Sequence, residues 1–128
     1  MFNRREKHAP VDTLIGRSAR VQGDIEFAGG LHVDGQVTGN VRVIAGASGA
    51  LSVSEDGVIE GSVEAPQVVL NGTVNGDIVG SDRVVLGAKA RVRGNVSYGV
   101  IEMALGAEIT GRLIPANAEA QAPTAQAG

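Results

Sequence analysis

The chain has 128 residues, a formal net charge of −3, 19 glycines, no cysteine and no tryptophan, with two Phe and one Tyr as its aromatic residues. Val, Ile and Leu supply 33 residues, so this length and composition predict one globular domain whose core consists of small aliphatic side chains. The lack of cysteine excludes disulfides, thiol nucleophiles and cysteine metal sites. The weak charge and few aromatic residues give no indication of a nucleic-acid partner.

The chain begins with a polar, basic segment in which Arg4, Arg5 and Lys7 outnumber Glu6. We predict that residues 1–12 form a disordered basic tail, because they lack the apolar residues needed for a core. The sequence shows neither the apolar stretch of a signal peptide nor a run long enough to span a bilayer, which predicts a cytoplasmic protein.

A five-residue motif then recurs six times. A glycine stands at its centre, aliphatic residues stand two positions before and after it, and polar residues flank it in every copy. The spacings between the central glycines are 16, 22, 15, 18 and 17 residues. This alternation is typical of a half-buried strand and excludes a helix, so we interpret the glycine as the point where the strand bends. The six centres are Gly23, Gly39, Gly61, Gly76, Gly94 and Gly111.

The period leaves room for two or three short strands and bends in each repeat, but for no regular helix. We therefore predict an all-β fold, a parallel β-helix or β-solenoid of about six coils over residues 13–114, with stacked aliphatic residues inside. A sandwich of hairpins, with Asn71-Gly72 as one of its turns, is the alternative. We predict a loop over residues 43–54, which lie in the longest gap between two motifs. We also predict a second disordered tail over residues 115–128.

The sequence offers few residues in arrangements suited to catalysis. Asp24 and Asp77 follow motif glycines three coils apart, and a strand spacing of about 4.8 Å keeps them about 14 Å apart, too far for a paired acid and base. His32 and Asp34 share a strand face without a nucleophile marked beside them, and we interpret them as a solvated surface pair. We predict no enzyme activity, cofactor or metal site. A carbohydrate-active or acyl-transferring module, or a monomeric binding solenoid, is the alternative.

The ends of the predicted solenoid carry no capping element in the sequence. Uncapped coils expose strand edges and apolar cross-sections, so we expect copies of the chain to stack end to end into a filament. If like ends pair, the filament is non-polar, and if opposite ends pair, it is polar. The residues predicted to form this interface are Leu14, Ile15, Val21, Ile25, Met103, Leu105, Ile109 and Leu113.

The segments Thr13 to Gly16, Val21 to Ile25, Leu31 to Val41 and Gly106 to Gly111 resemble the bactofilins, bacterial polymer-forming cytoskeletal proteins. The resemblance covers residues 13–113. It implies a right-handed parallel β-helix that assembles end to end, without nucleotide, into non-polar filaments that serve cell shape, envelope synthesis or polar organisation. It also suggests a paralogue and envelope-synthesis proteins as further partners.

The first residues, Met1-Phe2-Asn3-Arg4-Arg5, are similar to the N-terminal membrane-targeting segment of many bactofilins. This similarity predicts association with the inner membrane. One aromatic ring at the acyl boundary and a few cations near anionic lipid bind only weakly in a single chain, and a polymer multiplies the effect. The residues predicted to bind membrane are Met1, Phe2, Arg4, Arg5 and Lys7.

Overall fold

The computed structural model describes residues 11–115 and, from residue 13 onward, their side chains. These residues form fifteen short strands and no helix, as the two-residue periodicity predicts. The strands are β1 (Val11–Ile15), β2 (Arg20–Gln22), β3 (Ile25–Phe27), β4 (Gly29–Val33), β5 (Gln36–Thr38), β6 (Val41–Val43), β7 (Gly49–Val53), β8 (Val58–Glu60), β9 (Val63–Leu70), β10 (Thr73–Asn75), β11 (Ile78–Leu86), β12 (Arg91–Arg93), β13 (Val96–Met103), β14 (Glu108–Thr110) and β15 (Leu113–Pro115).

The strands wind into six coils with three sides each. Side 1 consists of β1, β4, β7 and the second halves of β9, β11 and β13. Side 2 consists of β2, β5, β8, β10, β12 and β14. Side 3 consists of β3, β6, the first halves of β9, β11 and β13, and β15.

Every strand pairing among the described residues is parallel, which confirms the predicted β-solenoid. The alternative hairpin sandwich is wrong. Asn71 and Gly72 do not form a hairpin turn, because they connect β9 on side 1 to β10 on side 2, and these strands lie in different sheets. The six-stranded sheet of side 2 runs without a break from β2 in the first coil to β14 in the last.

Stacked aliphatic columns form the core. The parallel register places each inward side chain above its equivalent in the previous coil, so that Val37, Ile59, Val74 and Val92 form one buried column on side 2. Equivalent columns run along sides 1 and 3. Burying each such side chain stabilises the fold by about 1.5–3 kcal/mol, and β-branched residues suit the narrow interior because they pack well on a pleated surface.

The motif glycines form the corner between sides 2 and 3. Gly61 has a φ of +147°, and a Cβ atom placed there would collide with the carbonyl oxygen of Gly39 in the coil before. Gly76 meets the carbonyl of Gly61 in the same way. The sharp bend predicted at glycine is therefore confirmed, and it has two causes: a backbone conformation that other residues rarely adopt and the absence of room for a side chain.

The irregular segment is shorter than predicted. Residues 44–48 leave the strand pattern at the corner between sides 3 and 1, and β7 restores the coil at Gly49. The strands also extend slightly past the predicted domain bounds of 13 and 114, since β1 begins at Val11 and β15 ends at Pro115. The remaining residues of the two predicted tails, 1–10 and 116–128, lie outside the described part of the chain.

Candidate functional site

The two ends of the rod present unpaired strand edges. At the N-terminal end, β1, β2 and β3 each pair with one described strand only, and at the C-terminal end the same holds for β14 and β15. Residues 100–103 of β13 pair only with β11. Such edges carry free backbone N–H and C=O groups, which are templates for pairing with another chain. Among the described residues, no further strand covers either end.

The C-terminal end exposes apolar side chains, four from core columns and one from a corner turn. We define the C-terminal end face as Ile101, Met103, Leu105, Ile109 and Leu113. Met103 is 45 % exposed and Leu113 is 43 % exposed, whereas Leu86 and Val96, which precede them in the same columns, are 1 % and 0 % exposed. Leu105 lies in the corner turn after β13 and is 96 % exposed. Ile101 and Ile109 are half-buried.

The N-terminal end is more closed. We define the N-terminal end face as Thr13, Ile15, Val21, Ile25 and Phe27. Val21 and Ile25 are half-buried, but Ile15 and Phe27 are only 8 % and 6 % exposed although they lie in the first coil. The predicted interface residue Leu14 differs from the others, because its register with His32 places it on the outer surface of side 1. The structure thus distributes the predicted interface residues over both end coils.

A ladder of polar side chains follows the motif glycines along the corner between sides 2 and 3. The Asn40 N–H donates to Asp24 Oδ1 at 3.0 Å, and the Ser62 N–H donates to Asn40 Oδ1 at 3.0 Å. Farther along the rod, the Asn95 N–H donates to Asp77 Oδ1 at 2.9 Å, and the Arg112 N–H to Asn95 Oδ1 at 3.1 Å. Asp24 and Asp77 therefore accept backbone hydrogen bonds, which fits the structural role expected of them.

The surface of side 1 carries a hydrogen-bonded group that the sequence prediction missed in part. His32 and Asp34 form the expected pair, with Nε2 and Oδ1 3.0 Å apart, but Ser52 Oγ also lies 3.2 Å from His32 Nδ1. The Ser54 side chain and, after it, His32 lower the pKa of the Asp34 carboxyl below its ordinary value. The sequence does contain a signal for this contact. Alignment of the core residues of Leu31-His32-Val33 with those of Leu51-Ser52-Val53 places His32 beside Ser52.

This group lies on a part of side 1 where the sheet is paired on both sides. β4 lies between β1 and β7, and β7 lies between β4 and β9, so the backbone N–H groups beside His32 and Ser52 belong to the sheet ladder. The three side chains form a surface network that connects the second and third coils.

A shallow groove of about 450 Å³ lies beside the loop of residues 44–48. Its lining includes Glu26, Arg42, Ile44 and Glu64. Arg42 Nη2 is 2.7 Å from Glu26 Oε2, and this contact raises the pKa of the guanidinium above its ordinary value. The charged side chains of Glu26 and Arg42 in this groove therefore pair with each other.

The described His, Asp and Glu side chains of residues 11–115 form no group of three or more that could hold a metal ion. This part of the chain also contains no helix that could cross a membrane. The predicted membrane-binding residues Met1, Phe2, Arg4, Arg5 and Lys7 lie outside the described residues.

Within residues 11–115, the rod is a parallel β-solenoid that ends in unpaired strand edges and exposed apolar side chains, features that favour self-association. The bactofilin family model, described as polymer-forming cytoskeletal, matches residues 13–114. The chain is also 31 % identical over 118 residues to bactofilin BacO of Myxococcus xanthus (strain DK1622), covering 86 % of this chain and 90 % of that protein. No solved structure gives a significant match. The chain belongs to the bactofilin family, which confirms the resemblance seen in the sequence, and it is a cytoskeletal protein of the polymer-forming kind.

Proposed function

We propose that this protein is a cytoskeletal scaffold that assembles end to end, without nucleotide, into non-polar filaments on the cytoplasmic face of the inner membrane. There it organises cell shape or envelope synthesis. The observation that carries this proposal is the abrupt change in exposure within single core columns, from 1 % at Leu86 to 45 % at Met103 and from 0 % at Val96 to 43 % at Leu113. A further coil supplied by another copy would cover these side chains as the rod covers the interior ones.

The energetics favour such a joint. Full burial of a large aliphatic side chain is worth about 1.5–3 kcal/mol, so several of them together reach or exceed the lower range of about 4–15 kcal/mol that association costs. Pairing of the strand edges adds backbone hydrogen bonds, which also gives the joint a defined geometry. No nucleotide is needed in this scheme, because the driving force is the burial of apolar surface.

Pairing of like ends is the form supported by the family resemblance. Such a joint is isologous, so the same surface must be complementary to itself. The carboxylates of Glu102 and Glu108 already lie beside arginines of the preceding coil, so the two-fold joint would consist of apolar contacts and strand edges. Alternating joints of the two like ends produce a filament without polarity.

We expect the wild-type protein to form filaments in electron micrographs of purified material without nucleotide or metal, and Leu113→Glu to abolish them. The charge would be desolvated in the joint, whereas in the free chain Leu113 is already 43 % exposed, so the β-sheet circular dichroism should be unchanged. Val79→Glu is the matched control, because Val79 is 37 % exposed on the outer surface in the middle of the rod.

Monodisperse wild-type monomer at every salt and protein concentration would contradict the proposal. Filaments of Leu113→Glu that match the wild type in length would contradict the role of the last coil. Loss of filaments in Val79→Glu would show that the test responds to any surface charge and not to the joint.

The membrane part of the proposal depends on residues 1–7. We expect wild-type filaments to sediment with vesicles that contain anionic lipid, and a variant lacking residues 2–7 to remain in the supernatant. The Leu113→Glu chain, which retains the segment but not the polymer, should bind far less than wild type, because a single segment is worth only a few kcal/mol and linked copies add avidity. Equal sedimentation of the deletion variant and the wild type would refute membrane binding by this segment.

Further partners belong to the same proposal. A paralogue whose end coils expose similar apolar columns could enter the filament, since the joint recognises strand edges and aliphatic side chains and not a unique pocket. Envelope-synthesis proteins are the remaining candidates, and they would bind the outer sides or the terminal segments without competing with the joints.

A further inference from the structure

The two ends of the rod differ in how much apolar surface they expose. Two strongly exposed large hydrophobic side chains of the last described coil, Met103 and Leu113, end core columns, and the exposed Leu105 lies in the corner turn after β13. Val100 in that coil and Leu14 in the first coil both lie on the outer surface of side 1, so neither belongs to an end face. The rod therefore has one strongly apolar end and one weakly apolar end.

The register shows that this difference is built into matched positions. The column that ends at Ile101 begins at Thr13, which places a polar residue at the N-terminal end where the other end has an aliphatic one. Ile25 and Leu113 occupy the same place in the motif, two residues after its glycine, and Ile25 is the more buried of the two.

Phe27 explains part of the closure at the N-terminal end. Its side chain is only 6 % exposed, and the ring lies close to the backbone of Gly49 in the third coil. The largest apolar group of the first coil is thereby buried within its own chain. It is not available to a second copy.

We infer that assembly of this protein is hierarchical, with dimers that form first through the C-terminal end faces of two copies and then join through their weaker N-terminal end faces. This inference rests on the proposed end-to-end assembly and adds the order and relative strength of its two joints. The driving force for association grows with the apolar area removed from water, so the end that exposes Met103, Leu105 and Leu113 forms the tighter contact. Because the proposed assembly pairs like ends, the occupant of the C-terminal end face is the same face of another copy.

Charge substitutions at Ile25 and Leu113 test the inference, because the two residues are equivalent in the repeat and lie at opposite ends. Analytical ultracentrifugation of Ile25→Glu should show stable dimers, joined through the intact C-terminal ends, and Leu113→Glu should sediment mainly as monomer. The dimer of Ile25→Glu should persist to a protein concentration at least about tenfold lower than any dimer of Leu113→Glu, since burial of one more aliphatic side chain supplies at least that factor. Unchanged circular dichroism must accompany both results.

The outcomes separate this inference from the proposed function. Suppose that the wild type forms filaments but Leu113→Glu forms dimers and Ile25→Glu stays monomeric. This result would overturn the order of assembly and leave filament formation intact, and so would dimers of equal strength from the two variants. Monomers from both variants, and heterodimers when they are mixed, would reveal head-to-tail joints and overturn the inference as well. Wild-type protein that never assembles would instead refute the proposed function.

A second measurement covers the possibility that Ile25→Glu fails to fold. The chain has no cysteine, so Leu105→Cys introduces a single thiol at a position that is 96 % exposed beside the C-terminal end face. Mild oxidation should convert the dilute protein to a covalent dimer faster than it converts Thr13→Cys at the opposite end. Equal or reversed rates would overturn the inference.

Residues 116–128 are the other candidate occupant of the C-terminal end face. Their removal tests this directly, with the chain ending at Pro115. An association that is unchanged supports pairing between copies. An association that strengthens at least about tenfold would make these residues the occupant and would overturn the inference.

Discussion

Replacement of Gly61 by Ala is expected to lower the free energy of unfolding by about 3 kcal/mol or more. The φ of +147° lies in a region that only glycine occupies readily, and the added Cβ would meet the carbonyl oxygen of Gly39, a backbone atom that cannot turn aside. Backbone strain of about 1–3 kcal/mol and overpacking of about 1–3 kcal/mol act together at this corner. The expected loss corresponds to a fall in melting temperature of about 10 °C or more.

Gly16→Ala is the matched control, because Gly16 has no neighbouring atom within 4 Å of an added Cβ and no positive φ. Its stability should lie within about 0.5 kcal/mol of the parent. Both variants should be measured by denaturant unfolding in a Leu113→Glu background at concentrations where the chains sediment as monomers, since assembly would otherwise stabilise the folded state by mass action. Equal unfolding midpoints for Gly61→Ala and Gly16→Ala would refute the role assigned to the glycine column.

Leu70→Ala and Leu105→Ala are expected to act on different properties of the protein. Leu70 is fully buried inside the fourth coil, so its truncation should cost about 2–5 kcal/mol of folding free energy through lost burial and the cavity left behind. Leu105 is 96 % exposed, so the same truncation should leave the unfolding free energy of the monomer within about 0.5 kcal/mol.

Filament assembly should respond to these two variants in the reverse order, with the larger effect from Leu105→Ala. Leu105→Ala removes apolar surface from the C-terminal end face, so the critical concentration for filament formation should rise several-fold, as measured by pelleting over a concentration series. Leu70→Ala leaves both end faces intact, and the part of the protein that remains folded should assemble at the wild-type critical concentration. A critical concentration unaffected by Leu105→Ala would exclude this side chain from the joint.

The repeat motif predicted two of the three sides of each coil. The aliphatic residues at its outer positions face the interior of sides 2 and 3, and its glycine forms the corner between them, for example Val74, Gly76 and Ile78 in the fourth coil. This was possible because the corner imposes the same steric demand in every coil. A steric requirement that recurs in every coil appears in the sequence as the same residue in every repeat, with the same types of neighbour.

Side 1 was harder to predict, because its turns vary in length. Four residues connect it to side 2 in the first coil and two in the second, so motifs aligned on glycine do not align the strands of side 1. The contact between His32 and Ser52 falls in this region, across the longest spacing in the repeat. The unequal closure of the two ends was also not predictable, since it depends on where the ring of Phe27 comes to lie.

The parallel register on all three sides has a mechanical consequence. Hydrogen bonds between successive coils point along the axis of the rod, so tension on a filament pulls on every ladder of a coil interface at once, and bending lengthens the bonds of one sheet while it compresses those of the opposite corner. With three sides at angles to one another, every direction of bending meets resistance from at least one of them. A filament of such rods would resist bending in every plane and would fail under tension at a joint between copies, where the covalent chain does not continue from one coil to the next.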